Sequence, residues 1–317
     1  MALSPFKLMQ QAVDIVQLSQ HPTHPIAATL AGRDENGEPY IISKTNTWPR
    51  AIDDALGRET KIGGSSPTIH AEVAAILAAP GKTEGAEIFV TDPPCPNCAK
   101  NIIEAGISAV YIDHKGFGKR FAKEREKDLK LTYALFKDAG IPVFEVFRGK
   151  EELKPLVKIK EGFVKPTYEN APLIRPVNGE PRVSEFLRDA VAFRQAYNAE
   201  SCAAIIAHSP SGEAQFIGCE GGQVIGQTRD SRKKSESTKY SLNMEPLNRA
   251  FMIAARHGLK LDPDYVFTCR VPTPREMVNS IGAGVHDIII DDCEEGRDER
   301  SFEALEVLQE ADILVVR

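Results

Sequence analysis

The sequence predicts an α/β protein built as two tandem three-layer α/β/α sandwiches, and three observations carry this. Apolar strand-like runs alternate with amphipathic helical runs through residues 1–150, the pattern of a sheet covered by helices on both faces. The same order of elements returns in residues 183–317 at an offset of about 177 residues, which marks duplication of a whole domain and not a short-period solenoid. A chain of 317 residues is also longer than one ordinary domain. Its 42% hydrophobic and 26% charged residues fit a globular protein. No apolar run reaches the length of a membrane span, and Lys7, Gln10 and Asp14 interrupt the N-terminal stretch where a signal peptide would be apolar. Six cysteines, at 95, 98, 202, 219, 269 and 293, are too sparse for a disulfide framework, so a reducing, cytoplasmic setting is expected. The formal charge of −6 argues against a general nucleic-acid-binding surface.

Taken in order, the first element is an amphipathic helix at about residues 6–19. The runs "PIAATLAG" and "YIISKTN" then flank Asn36-Gly37, a strong hairpin signal, so the first two strands are antiparallel. A short helix follows at "SSPTIHAEVAAILAA", then the strand "AEIFVTD" and the helix "PNCAKNIIEAG". The strand "SAVYID", a charged helix at 119–139 and the strand "IPVFEVF" close the unit. Strands separated by a helix run parallel with a right-handed crossover, which gives a mixed five-stranded sheet. Residues 151–182, rich in Pro, Lys and Glu without periodicity, read as a linker. Beyond them "SEFLRDAVAFRQAY" repeats the first helix and "CAAIIAHSPSGEAQFIG" the first hairpin. "YVFTCRVPTPREMVNSIGAGVHDIIIDD" parallels "IFVTDPPCPNCAKNIIEAGISAVYIDH".

The chemistry is concentrated at two helix starts. His70 and Glu72 are two residues apart, and on a regular helix such a pair does not converge. They can meet at one point only if His70 lies at the irregular beginning of the helix, where Pro67 and Thr68 are typical residues. Further on, Cys95 and Cys98 form a Cys-x-x-Cys where a strand ends and a helix begins, a place whose positive dipole end favours thiolate. His70, Cys95 and Cys98 make a three-ligand N/S set of the kind Zn2+ prefers, with a fourth position open for water. Glu72 need not bind metal; a carboxylate there can move the proton of that water to the atom under attack. A redox cysteine pair is one alternative. Another is a closed structural zinc site completed by a residue such as His114.

His-x-Glu at one helix start and Pro-Cys-x-x-Cys at the next form the zinc-deaminase pattern, and residues 6–147 resemble the cytidine/deoxycytidylate deaminase superfamily. The resemblance implies a cytidine deaminase-like fold and hydrolytic removal of an amino group from a ring carbon, with release of ammonia. It implies that His70, Cys95 and Cys98 hold zinc and that Glu72 is the proton shuttle. Asn46, in "SKTNTWP", matches the position where family members use Asn to hold the substrate. Trp48, the single tryptophan, can stack on a flat ring or cover the core edge. "CAKNIIEAGISAVYI" resembles deoxycytidylate deaminases, whereas "PTIHAE" is closer to tRNA adenosine and guanine deaminases. The basic residue that deoxycytidylate enzymes tend to place before the first strand is absent from "SQHPTHPIAA". The expected substrate is a cytosine-type nucleotide, nucleoside or base. The alternatives are a purine or tRNA adenosine deaminase and, in another class, a non-catalytic zinc-stabilised binding or regulatory protein. The basic stretch "HKGFGKRFAKEREKDLK" is the one local argument for nucleic acid, and its interleaved acids fit a solvated helix face.

Residues 183–317 contain neither His-x-Glu nor Cys-x-x-Cys. Aligned on the first copy, Glu245 falls at His70, Leu247 at Glu72, Thr273 at Cys95 and Glu276 at Cys98. The second copy is therefore expected to be a pseudo-catalytic domain without zinc. It would serve as an intramolecular partner in a pseudo-dimer, which does not exclude pairing of two chains. The charged stretch 226–241 replaces the corresponding loop, and the alternatives for it are reach over the active pocket, phosphate binding, or a disordered loop.

Overall fold

In the computed structural model, which describes residues 3–64, 66–119, 126–197, 199–227, 242–291 and 298–317, the alternation resolves into two six-stranded mixed sheets. Most of the basic run at the start of helix 119–139, nearly all of the stretch 226–241, and Cys293 lie outside the described residues. No described helix is long and apolar enough to cross a membrane.

The first helix, α1 (Pro5–Ile15), begins with Pro5 at its first position, and the Ser4 side chain accepts from the Lys7 N–H. Strands β1 (Ala27–Arg33) and β2 (Pro39–Thr45) form the expected hairpin. Its loop is the five residues 34–38 and not a two-residue turn: the Asp34 carboxylate accepts from the N–H groups of Asn36 and Glu38, and Gly37 takes the positive φ of 80°. After α2 (Arg50–Leu56) and α3 (Ala71–Leu77), β3 (Glu87–Val90) pairs antiparallel with β1. Helix α4 (Pro96–Glu104), β4 (Ala109–Asp113), the single turn α5 (His114–Phe117), α6 (Glu126–Asp138) and β5 (Val143–Phe147) follow. Strands β3, β4 and β5 are parallel, as their crossover helices require.

The five-strand expectation and the linker at 151–182 both need correction. β6 (Glu152–Val157) adds antiparallel to β5, and β7 (Leu173–Pro176) adds antiparallel to the hairpin of the second copy. Each sheet thus has the five expected strands plus one edge strand drawn from the supposed linker. Their polar composition is what edges carry: Lys154, Pro155, Arg175 and Pro176 keep an exposed edge from pairing onward.

The second copy runs α7 (Val183–Ala196), β8 (Cys202–His208), β9 (Ala214–Glu220), a short β10 (Gly222–Gln223) and β11 (Asn243–Met244). It continues with α8 (Pro246–Arg256), β12 (Lys260–Thr268), α9 (Pro274–Gly282), β13 (Asp287–Ile290), α10 (Glu299–Glu310) and β14 (Val315–Val316). The strand order β2-β1-β3-β4-β5 of the first sheet recurs as β9-β8-β12-β13-β14, while β6 and β7 extend the two sheets at opposite ends.

Alternation along the strands separates two faces. On the outer face of the first sheet, Phe89, Tyr111 and Val146 pack under Leu8 and Met9 of α1; on that of the second, Phe216, Phe267 and Ile289 pack under Phe186 and Phe193 of α7. The inner faces share one continuous apolar core with α3, α4, α8 and α9 between the sheets. Across this middle layer Arg249 Nε meets Glu104 Oε2 at 3.3 Å, both side chains wholly buried, and Arg249 Nη1 donates to the Glu220 carbonyl at 3.0 Å. Arg256 pairs with Glu84 nearer the surface.

Candidate metal centre

The two helix starts singled out in the sequence lie side by side. His70 is the N-cap of α3, with extended backbone (φ −71°, ψ 146°), and its ring makes no capping bond, so it is free to turn towards α4. A bridge between Thr47 and Ile69 holds the preceding residue against the end of β2. Glu72 lies in the first turn of α3 and is buried. Cys95 is the N-cap of α4 (φ −77°, ψ 164°), Pro96 starts that helix, and the Cys98 N–H points to Cys95 Sγ at 3.5 Å. The irregular helix start is thus what lets an i, i+2 pair converge.

His70 Nδ1 lies 3.1 Å from Cys98 Sγ and 3.6 Å from Cys95 Sγ, and among the described residues these three form the one cluster of metal-ligand type. Nitrogen and sulfur donors on a tetrahedral zinc lie roughly 3.6 Å apart, given bonds of about 2.0–2.1 and 2.3 Å. The donor set and its spacing therefore fit such an ion. The electrostatics also ask for a cation. Burial, with Cys95 and Glu72 beside it, pushes the Cys98 thiol well above its ordinary range. The Glu72 carboxyl is raised first by burial and is pulled back by His70. Cys95 disfavours ionisation of both Cys98 and Glu72, and Glu72 that of Cys98, a penalty that a positive charge among them relieves.

The remaining sequence candidates are placed as follows. Asn46 is buried and its amide holds the approach to β1: Oδ1 accepts from Ser19 Oγ at 2.6 Å and the Ile26 N–H at 2.9 Å, and Nδ2 donates to the His24 carbonyl at 2.9 Å. Its oxygen is thus engaged with the loop 19–26. Trp48 is buried between the His21 ring, at 5.5 Å, and the Arg58 guanidinium, at 5.7 Å, and its indole N–H has no hydrogen-bond partner among the described residues. His114 does not join the cluster; it bonds Glu145 at 2.6 Å and stacks on Phe147.

Three residues that sequence reasoning passed over belong to this region. His21 lies close enough to His24 and His70 for both to lower its pKa, after burial. Asp92, two residues before the Pro-Cys pair, is buried and bonded to Lys119 Nζ at 2.6 Å and Thr91 Oγ1 at 2.9 Å. Arg275 comes from the second copy: Nη1 donates to the Thr68 carbonyl at 2.5 Å and Nη2 reaches the Ser66 carbonyl at 3.5 Å, and burial lowers the pKa of its guanidinium, with Cys95 and Cys98 opposing the shift. The histidines in "SQHPTHP" were a local signal for His21. Nothing local signals a contact across 207 residues.

In the second copy Glu245 and Thr273 are the N-caps of α8 and α9, matching His70 and Cys95. Glu276 closes a capping box with Thr273 and also accepts from the Leu247 N–H at 2.9 Å. The positions of the three candidate metal ligands are thus held by Glu245, which pairs with Arg270, and by Thr273 and Glu276, which bond each other.

Residues 5–114 match the family described as the cytidine and deoxycytidylate deaminase zinc-binding region. An uncharacterized deaminase encoded in the luxG 3' region of Aliivibrio fischeri is 35% identical over 137 residues, which cover 43% of this chain and 89% of that protein. The deoxycytidylate deaminase of Enterobacteria phage T2 is 35% identical over 85 residues, 26% of this chain and 40% of that one. A crystal structure of dCMP deaminase from the cyanophage S-TIM5, in complex with dCMP and dUMP, aligns over 46% of this chain and 100% of that chain, at 22% identity and a TM-score of 0.30.

Proposed function

The chain belongs to the cytidine and deoxycytidylate deaminase superfamily, and from that premise we propose that it is a zinc-dependent hydrolase that deaminates a cytosine-type nucleotide, nucleoside or base. The observation that carries this is the convergence of His70 Nδ1 on both cysteine sulfurs with Glu72 buried beside them. In this reading His70, Cys95 and Cys98 hold Zn2+, and residues 1–150 are the catalytic unit. Zinc, when bound, supplies a water acidic enough to serve as nucleophile near neutral pH.

The chain's own residues do the rest. Glu72 takes a proton from the attacking water and delivers it to the ring nitrogen next to the amino-bearing carbon. A second proton passes to the departing amine, so that water and the amino compound become the carbonyl compound and ammonia. Burial of Glu72 excludes competing solvent and raises its affinity for the proton it carries. Asn46 organises the loop 19–26 above the centre, and Trp48 with His21 supplies a flat wall for a planar ring. Residues 183–317 act as the pseudo-catalytic partner whose Arg275 braces the run leading into His70.

Ammonia release from a panel of bases, nucleosides, nucleotides and tRNA, with Glu72→Ala as control, tests the proposal. Release from cytosine compounds that the variant abolishes supports it. Release from purines or tRNA alone moves the protein to the adenosine or guanine branch. Silence across the panel from zinc-loaded protein favours a non-catalytic role.

A further inference from the structure

The second copy has lost the metal-ligating residues and has kept a pocket. The Gly221 N–H donates to the Ser201 carbonyl just as that of Asn46 donates to Ile26, and Gly222 pairs with Met244 as Thr47 pairs with Ile69. Gly221, Gly222 and Gln223 therefore occupy the places of Asn46, Thr47 and Trp48. Two glycines and a slender amide replace an asparagine, a threonine and an indole, and with Ser201 and Asn170 packed close against the glycines they line a cavity of about 580 Å³. That volume is within the range of about 300–1,000 Å³ typical of small-molecule sites.

Its walls have a definite chemistry. Ser201 presents a hydroxyl and Asn170 an amide, Gln223 Nε2 donates to Asn243 Oδ1 at 3.4 Å, and Glu245 and Arg270, 3.4 Å apart, stand together at the wall. Among the described residues the Ser201 hydroxyl and the Asn170 amide oxygen, both at this cavity, are buried without a hydrogen-bond partner. Buried polar atoms of this kind call for a partner, from water or from a bound molecule. Tyr197, 44% exposed, offers a flat apolar face at the rim. Among the described lining residues Glu169, Glu200 and Glu220 add three carboxylates to the Glu245–Arg270 pair, and the nearby Lys100 ammonium is taken up by the Asn243 carbonyl at 2.6 Å. A phosphate would meet net repulsion here, whereas amino and ring N–H groups would find acceptors.

We propose that this cavity is a non-catalytic binding site for an unphosphorylated nucleobase or nucleoside. The flat ring lies on Tyr197, its nitrogen and amino groups meet the Ser201 hydroxyl, the Asn170 amide oxygen and Glu245, and no chemistry follows because Glu245, Leu247, Thr273 and Glu276 stand where the first copy has His70, Glu72, Cys95 and Cys98. The proposal rests on the duplicated geometry and is independent of turnover at the first copy.

The test uses the full, zinc-loaded chain. Cytidine, adenosine and guanosine, each beside its 5'-monophosphate, are titrated calorimetrically, and backbone hydrogen exchange locates the binding. The expected result is protection of amides in 219–224 and 242–247 by at least one nucleoside, with the monophosphate binding about tenfold or more weakly there, as a charge placed against carboxylates would. Tyr197→Ala, a surface change, should weaken that binding by about tenfold, the loss of one stacking contact, and leave ammonia release at the first site unchanged. Glu245→Gln should weaken it while the protein stays folded. No protection of these segments at millimolar nucleoside, protection confined to residues 46–72, equal binding of nucleoside and monophosphate, or indifference to Tyr197→Ala would each overturn the proposal. Loss of deaminase activity with second-site binding intact would count against the proposed function alone.

Discussion

Replacing Arg275 with methionine tests whether the second copy holds the first copy's metal site in shape. The side chain contributes one short, charge-assisted hydrogen bond, Nη1 to the Thr68 carbonyl at 2.5 Å; the 3.5 Å approach to the Ser66 carbonyl adds little. A hydrogen bond to a charged group is worth about 1.5–3 kcal/mol, and methionine fills a similar volume without replacing it. The carbonyl of Thr68 is two residues before His70, so the freedom it gains is freedom of a ligand. If that loss is felt in the zinc-loaded state, affinity for zinc falls roughly 10- to 100-fold. Competition against a chromogenic chelator measures this directly, with the melting temperature of the metal-free chain followed in parallel. Arg275→Lys, which keeps the charge and one donor, should recover part of the affinity. Zinc affinity within twofold of wild type, together with a destabilised metal-free chain, would refute the reasoning and reduce Arg275 to a bolt between the two halves.

Glu72→Gln preserves size and removes the shuttled proton, so zinc content should stay stoichiometric while the rate of ammonia release drops by about 10²- to 10⁴-fold; a rate within a few-fold of wild type would assign the proton transfer elsewhere. Glu245 is pushed up to about 7, by burial first and then by Glu276, against Lys100 and Arg270. The folded chain therefore keeps a proton that the unfolded chain releases near 4.5, and this contribution to stability, full below pH 4.5, declines by about 3 kcal/mol as pH rises towards 7. Urea unfolding across that window should show the decline in the wild type and a flatter profile in Glu245→Gln, and an unchanged profile would contradict it. Arg249→Met strands the buried Glu104 carboxylate and should cost about 3–5 kcal/mol, whereas Arg249→Met with Glu104→Leu should recover at least half of that; fully additive losses in urea unfolding would show that the pair is not coupled.

How much of this was legible varied by element. The helices beginning at Pro5, His70 and Cys95 announce themselves through local caps and prolines, and the repeat of strand order follows from period and sequence offset alone. β6 and β7 were not legible. Each is held by one neighbour and exposed on its other edge, so neither hydrophobic periodicity nor β-propensity marks residues such as Lys154, Pro155 and Arg175. For Asn46 the resemblance implies a substrate contact; what no local pattern marks is that its oxygen accepts from Ser19 Oγ and the Ile26 N–H, partners brought to it by the return of the chain from α1.

By itself the sequence determined the fold class, the duplication and the identity of the candidate ligands, because these depend on periodicity and on side-chain chemistry at helix starts. Tertiary structure alone decided the rest. It brought His70 within 3.1 and 3.6 Å of the two sulfurs, set Arg275 against the Thr68 carbonyl, buried Arg249 against Glu104, and opened the cavity beside Tyr197. Each of those contacts joins residues far apart in the chain, and the distance between such residues is set by how two sheets share one apolar layer.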